Sequence, residues 1–205
     1  MLLPIHPVNP QPRFIASVTE ALDQGKVIIY PTDTIYGLGC DIFKRSAIDR
    51  ICRIKNIDPE KSQLSFICYD LSDLSRYTKS ISTPLYRMLK SYLPGPYTFI
   101  LPASKEVPKI LKSRKDTVGI RVPDNLIART IVKELGRPIL STTLPVTMIE
   151  EYTDPEVIYE KFNKLVDIVV DGGIGKSTPS TVIDCTGDKP VMIRQGAGEW
   201  SEPFV

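Results

Sequence analysis

Histidine is almost missing from this chain: 205 residues hold one, His6, in a proline-rich opening. With no second histidine, most zinc sites and a histidine-dependent catalytic triad are excluded. An excess of charge of one sign is missing too. The 26 lysines and arginines stand against 24 acidic residues, a formal net charge of +2 with a pI near 8.3. That balance excludes a protein whose main business is to coat nucleic acid by neutralising phosphates, and leaves room only for a local basic patch. None of the four cysteines, Cys40, Cys52, Cys68 and Cys185, falls in a C-x-x-C pair, and no signal-peptide pattern precedes them. They read as reduced, mostly buried small hydrophobes of a cytoplasmic protein, with a nucleophilic Cys40 as the open alternative. No apolar run approaches the ~20 residues of a membrane span, so no membrane is expected among its partners. Internal repeats, low-complexity tracts and dividing linkers are absent as well.

What is present suits one α/β domain. Hydrophobic residues make up 42% and charged residues 24% of the chain. At roughly 150 residues per domain, a single domain is expected, here over 10–198, with 1–9 and 199–205 as terminal extensions. A chain of this length buries roughly 70% of its unfolded surface, so neither metal nor disulfide is needed as a staple.

Apolar spacing predicts a first helix over Pro10–Gln24, from Phe14, Ile15, Val18, Ala21 and Leu22, with Asn9 as cap and Gly25 as terminator. Val27–Tyr30 is a continuous apolar run suited to a strand covered on both faces. A loop rich in threonine and glycine follows. Ala47, Ile48, Ile51 and Ile54 mark a second helix, and Leu64–Cys68 a second strand. Capping oxygens at Ser82, Asp124 and Asp154, beside prolines, announce three later helices. Between them lie strand-like runs at Tyr97–Leu101, Val118–Val122, Ile139–Thr142, Ile168–Val170, Thr181–Asp184 and Val191–Ile193. The expected fold is a single twisted mixed sheet, largely parallel with an antiparallel part, and helices on both faces.

Gly175-Lys176-Ser177 invites a phosphate-loop reading that fails. The G-x-x-x-x-G-K-[ST] pattern requires glycine where Val170 stands, and a helix where Pro179 and a strand follow. More informative is Tyr30-Pro31-Thr32-Asp33-Thr34-Ile35-Tyr36-Gly37, where a buried strand runs into hydroxyls and a carboxylate. Ligands of α/β sheets usually bind beyond the carboxyl ends of strands. Four further polar clusters, at Thr117–Arg121, Ser141–Thr143, Ser180–Asp184 and Arg194–Gly196, also sit on strands. Hydroxyls and guanidinium groups are costly to bury unpaired, so five such clusters in one domain point to a shared polar cavity.

At these residues the sequence resembles the YrdC/YciO family of threonylcarbamoyl-adenylate synthases, and more closely its YciO branch. The resemblance rests on Pro31-Thr32-Asp33-Thr34-Ile35-Tyr36-Gly37-Leu38, Pro94-Gly95-Pro96-Tyr97-Thr98-Phe99-Ile100-Leu101 and Gly119-Ile120-Arg121-Val122-Pro123. Pro179-Ser180-Thr181-Val182-Ile183-Asp184 and Ile193-Arg194-Gln195-Gly196 complete it, in family order from about Pro10 to Gly198. It implies a YrdC-like fold with a concave, positively charged cavity. It also implies synthesis of threonylcarbamoyl-AMP from L-threonine, bicarbonate and ATP, with release of pyrophosphate, for the threonylcarbamoyladenosine modification of tRNA.

By the family pattern, Thr32, Thr34, Tyr36, Arg121, Ser141 and Ser180 would hold L-threonine, with Arg121 pairing its carboxylate. Lys55, Thr117, Thr143 and Arg194 would line the nucleotide, and Lys55 and Arg121 would be the catalytic pair. Magnesium would arrive with the triphosphate rather than in a carboxylate cage of the protein. Implied partners are tRNA or double-stranded RNA and a tRNA-modifying transferase.

Two departures from the family pattern stand out. Where the family carries K-x-R, this chain reads Lys55-Asn56-Ile57; where it carries S-x-N, the chain reads Thr143-Leu144-Pro145. Losing a phosphate fork and an amide weakens ATP handling by roughly several kcal/mol unless Arg45, Arg53 or Lys61 compensates. Three readings follow: a synthase-like nucleotidyltransferase, an RNA-binding module of the same fold, and an adenylate-forming enzyme with another amine or acid as substrate. The basic run Lys105, Lys109, Lys112, Arg114 and Lys115, offset by Glu106 and Asp116, is the local support for RNA.

Overall fold

Apolar spacing and capping residues place the elements along the chain. The computed structural model describes residues 1–58, 64–111 and 116–201. Strand β1 (Leu2–Pro4) precedes helix α1 (Pro12–Asp23), whose Ile15, Val18, Ala21 and Leu22 are buried on one face. Pro12 opens α1, where a missing N–H costs nothing, and Gln11 occupies the cap position without a side-chain bond. Asn9 is therefore not the cap. His6 Nδ1 instead accepts from the backbone N–H groups of Val8 and Asn9 at 3.3 and 3.0 Å, a structural role for the lone imidazole.

Strands β2 (Ile28–Tyr30) and β3 (Gly37–Asp41) follow, then α2 (Arg45–Lys55), β4 (Ser65–Ile67) and the short α3 (Leu74–Tyr77). Helix α4 (Thr83–Tyr92) is capped by Ser82, whose Oγ accepts from Leu85 N at 3.3 Å. After β5 (Tyr97–Pro102) and β6 (Thr117–Arg121) comes α5 (Leu126–Leu135), capped by Asn125 rather than the expected Asp124. Strand β7 (Ile139–Thr143), helix α6 (Pro155–Phe162) and strands β8 (Ile168–Asp171), β9 (Thr181–Asp184) and β10 (Val191–Arg194) complete the series. Asp154 caps α6 as expected.

The ten strands of the described residues form one sheet, in the order β1-β8-β2-β3-β7-β4-β6-β5-β9-β10. Pairings β1–β8, β2–β8, β4–β6 and β5–β9 are parallel. Pairings β2–β3, β3–β7, β4–β7, β5–β6 and β9–β10 are antiparallel. The sheet is thus mixed, but not largely parallel as expected. The reason lies in β3, which apolar periodicity leaves as loop: β2 turns directly into it without a crossover helix, and a direct turn reverses direction. Nor does the sheet start at Pro10, since Leu2–Pro4 pairs with β8. At the other end Tyr97 Oη donates to Glu199 O at 2.8 Å, tying residues past 198 to the body.

Helices cover both faces. On one, α2, α3, α4 and α6 pack over the larger apolar cluster, which includes Ile29, Leu38, Cys40, Phe66, Phe99, Val118, Ile120 and Leu140 from the strands. On the other, α1 and α5 pack over Ile28, Tyr30, Ile67, Ile139, Ile168 and Val170. Successive residues of β2 alternate between the two clusters, the period-two signature of a strand buried on both sides. Helices α1 and α5 cover only part of their face. The uncovered part positions the site.

Candidate active site

A cavity of about 710 Å3 opens on the uncovered part of that face. Its lining follows the strand period in β6 (Thr117, Gly119 and Arg121) and β5 (Thr98 and Ile100), while β7 contributes Ser141, Thr142 and Thr143 in succession at its end. Ser65 of β4, Gly37 of β3 and Val182 and Asp184 of β9 join them, with Ser180 just ahead of β9. The site therefore lies across the sheet rather than beyond the carboxyl ends of its strands. Glycine is required in β3 beside this floor, where the strands and Tyr30 crowd it: a Cβ at Gly39 would stand 2.6 Å from Leu140 O and 2.9 Å from the Tyr30 ring.

Among the described residues three cations face the cavity, each held by the protein itself. Arg121 Nη2 donates to Thr34 Oγ1 at 2.6 Å, to Thr32 Oγ1 at 3.1 Å and to Asp33 Oδ1. Thr32 Oγ1 passes its own proton to Ile35 O at 2.7 Å, which fixes the loop between β2 and β3 beneath the guanidinium. Arg194 Nη2 donates to Ser180 O at 2.8 Å. Burial first, and then the charge of Arg121, lower the Arg194 pKa. Lys55, on the last turn of α2, donates from Nζ to Thr143 O at 2.8 Å and Thr143 Oγ1 at 2.9 Å. Burial holds its ammonium below the ordinary 10.5.

Hydroxyl groups complete the floor. Tyr30 Oη donates to Ser141 Oγ at 2.6 Å, and Thr98 Oγ1 and Ser180 Oγ share a hydrogen bond of 2.9 Å. Burial raises the Tyr30 pKa far above its ordinary value, so this phenol stays protonated. Ile57, Leu64, Leu111 and Ile193 add apolar lining. The arrangement can hold an anion against fixed donors, with apolar surface in the same cavity for an uncharged body.

Of the ten residues singled out in the sequence, eight line this cavity: Lys55, Tyr36, Thr117, Arg121, Ser141, Thr143, Ser180 and Arg194. Thr32 and Thr34 are buried behind Arg121 and reach the cavity only through it. Tyr36 contributes its ring, because its Oη donates to Gly173 O at 2.6 Å and accepts from Gly172 N at 3.2 Å. Cys40 is no nucleophile: it is fully buried in β3, and burial and then Asp41 push its thiol pKa strongly up.

Ile57 stands in the cavity wall, so the first family departure falls inside the site; Pro145 does not line it. Arg45 pairs with Asp49 on the exposed face of α2 and Arg53 is exposed, so neither compensates. Lys61 lies outside the described residues, as do Lys112, Arg114 and Lys115 of the basic run, whereas Lys105 and Lys109 are exposed. Sequence reasoning missed Ser65 and Thr98, which enter through strand register alone, and Tyr30, which lies buried behind Ser141. Asp33 was visible as a carboxylate in a motif, without a role.

Fold and cavity together define an α/β protein with an open polar cavity on one sheet face, where basic side chains and hydroxyls converge. The Sua5/YciO/YrdC family model, described as "Telomere recombination", matches residues 20–196, and the chain belongs to this family. It is 43% identical over 203 residues to the uncharacterized protein YciO of Escherichia coli (strain K12), covering 98% of this chain and 97% of that one. The crystal structure of E. coli YciO superposes with a TM-score of 0.90, covering 97% of each chain at 42% identity. The chain is also 30% identical over 185 residues to a threonylcarbamoyl-AMP synthase of Vibrio vulnificus (strain YJ016), covering 89% of this chain and 98% of that one. The crystal structure of P. abyssi Sua5 complexed with L-threonine superposes with a TM-score of 0.84 at 28% identity, covering 96% of this chain and 57% of that one.

Proposed function

We propose that the cavity is the active site of an L-threonylcarbamoyladenylate synthase-like nucleotidyltransferase. The observation that carries this is the convergence of Lys55, Arg121 and Arg194 with the hydroxyls of Ser141, Thr143 and Ser180 on one open face. The amine of L-threonine and bicarbonate would condense to a carbamate with loss of water. A carbamate oxygen would then attack the α-phosphorus of ATP, and the bond to the bridging oxygen of pyrophosphate would break.

Both partners are anions, so the protein must supply fixed positive charge and donors rather than a general base. Arg121 would take the amino-acid carboxylate, while Lys55, Thr117, Thr143 and Arg194 would lie along the nucleotide. Magnesium would enter as part of the ATP substrate and would screen its triphosphate. The relatives support this reading: the V. vulnificus protein carries the synthase name, and P. abyssi Sua5 was crystallised with L-threonine. The product would feed the threonylcarbamoyl modification of tRNA through a separate transferase. Ile57 in the wall favours a second reading, in which weak ATP handling leaves an RNA-binding protein of the same fold.

The test is incubation with ATP, magnesium, bicarbonate and L-threonine, followed by mass spectrometry. Threonylcarbamoyl-AMP that forms with the wild type and disappears with Arg121→Ala is the expected result. No product from well-folded wild type would shift the assignment to the RNA reading, whose signature is affinity that falls steeply with salt.

A further inference from the structure

The least explained feature of the site is the charge behind Arg121. Asp33 and Arg121 form an ion pair whose side chains are only 7% and 8% exposed. Its bonds crowd onto one nitrogen, since Nη2 serves Thr32, Thr34 and Asp33 Oδ1 together. The neighbouring atoms of the same pair, Arg121 Nε and Asp33 Oδ2, are buried and have no hydrogen-bond partner among the described residues. One is a donor and the other an acceptor. Both atoms are closed off from the cavity, so the pair keeps its charges close together behind the cavity surface with part of their hydrogen-bonding capacity unused.

The pair also changes what the cavity attracts. Alone, Arg121 would present a full positive charge and would favour any carboxylate or phosphate. With Asp33 against it, the combined charge is near zero, and a simple anion at the guanidinium also feels the carboxylate behind it. In a zwitterion the α-carboxylate meets the guanidinium, while the ammonium is drawn at longer range by the Asp33 charge.

We propose that Asp33 is the specificity-determining residue of this site, making the Arg121 end of the cavity select α-amino acids over carboxylic acids that lack an amino group. The proposal rests on the amino-acid reading of the cavity. Asp33 acts as a positioning residue and counter-charge through Arg121; it does not line the cavity wall.

The test compares two ligands differing only at the α-substituent: L-threonine and 2,3-dihydroxybutanoate, in which a hydroxyl replaces the amine. Calorimetric affinities are measured without ATP, on wild type, Asp33→Asn and Asp33→Glu, each checked by circular dichroism. Wild type is expected to prefer L-threonine by at least about tenfold. Asp33→Asn should bind L-threonine more weakly and the hydroxy acid more tightly, while Asp33→Glu, which keeps the charge, should retain the preference.

A merely structural role would weaken both ligands together, and that outcome overturns the proposal. So does a wild type that binds both alike or binds neither, whatever the folding of the variants. Product in the synthase assay with no change in preference would overturn the role of Asp33 and leave the synthase reading intact. A lost preference without product would do the reverse.

Discussion

Along β7, Ile139 and Ser141 stand two residues apart on the same face of the sheet. Ile139 is packed among the α1 and α5 side chains, whereas Ser141 lines the cavity. Ile67 and Ser65 of β4 repeat the contrast. The sheet face thus has two halves, and what separates them is the reach of two helices. Where α1 and α5 cover the strands, outward positions are mostly isoleucine and valine, with Tyr30; where they stop, serine, threonine, glycine and arginine predominate, with Ile100 and Val182 among them. The apolar half holds the strands rigid, and the polar half inherits that rigidity as fixed donors.

Breaking the apolar half has the largest expected effect among these tests. Ile139→Ala removes most of a fully buried side chain and should cost about 2–5 kcal/mol of stability. Chemical denaturation measures it. The folded fraction should bind ligand as wild type does, because Ile139 does not line the cavity. Weakened ligand binding in the folded protein would show that the two halves are not separable.

The polar half can be sharpened rather than broken. Ile57→Arg places a guanidinium in the apolar wall, at the position where the family pattern has one. ATP affinity should rise about tenfold, the scale of one charge-assisted contact to phosphate. Titration with ATP tests this, and unchanged affinity would mean that the wall does not face the triphosphate.

The two halves were unequally legible in the sequence. The apolar half follows from spacing: α1 and β2 lie within two residues of the expected bounds, and the cap of α5 falls one residue past the expected Asp124. The misses are short or glycine-rich strands. Gly37–Asp41 carries two glycines and no alternating pattern, so it looks like loop until pairing with β2 and β7 makes it a strand. Leu2–Pro4 is too short for any period. In the polar half, residue types in motifs marked Arg121, Ser141 and Ser180. Which hydroxyls share the floor depends on register, with Ser65 opposite both Gly119 and Ser141, and register is a property of pairing rather than of one segment. Asp33 escaped for the opposite reason, because its role is set by a partner 88 residues away.

The smallest expected effect is a matter of pH at the rim of the polar half. Lys55 is partly withdrawn from water, and that burial disfavours its charged form. Its folded pKa lies below the ordinary 10.5, so the unfolded chain holds this proton more firmly than the folded one. Lys55 thus weakens the fold while protonated, and that penalty fades as pH rises through the folded pKa towards the unfolded value. Binding has the opposite sign. An ammonium that holds phosphate loses its charge as pH climbs through the lowered pKa, so ATP affinity should decline before pH 10.5 is reached. Lys55→Arg should flatten that decline, because a guanidinium stays charged throughout. Affinity measured from neutral pH upwards on both proteins checks it; the same decline in Lys55→Arg would assign the titration to another group and place the nucleotide away from α2.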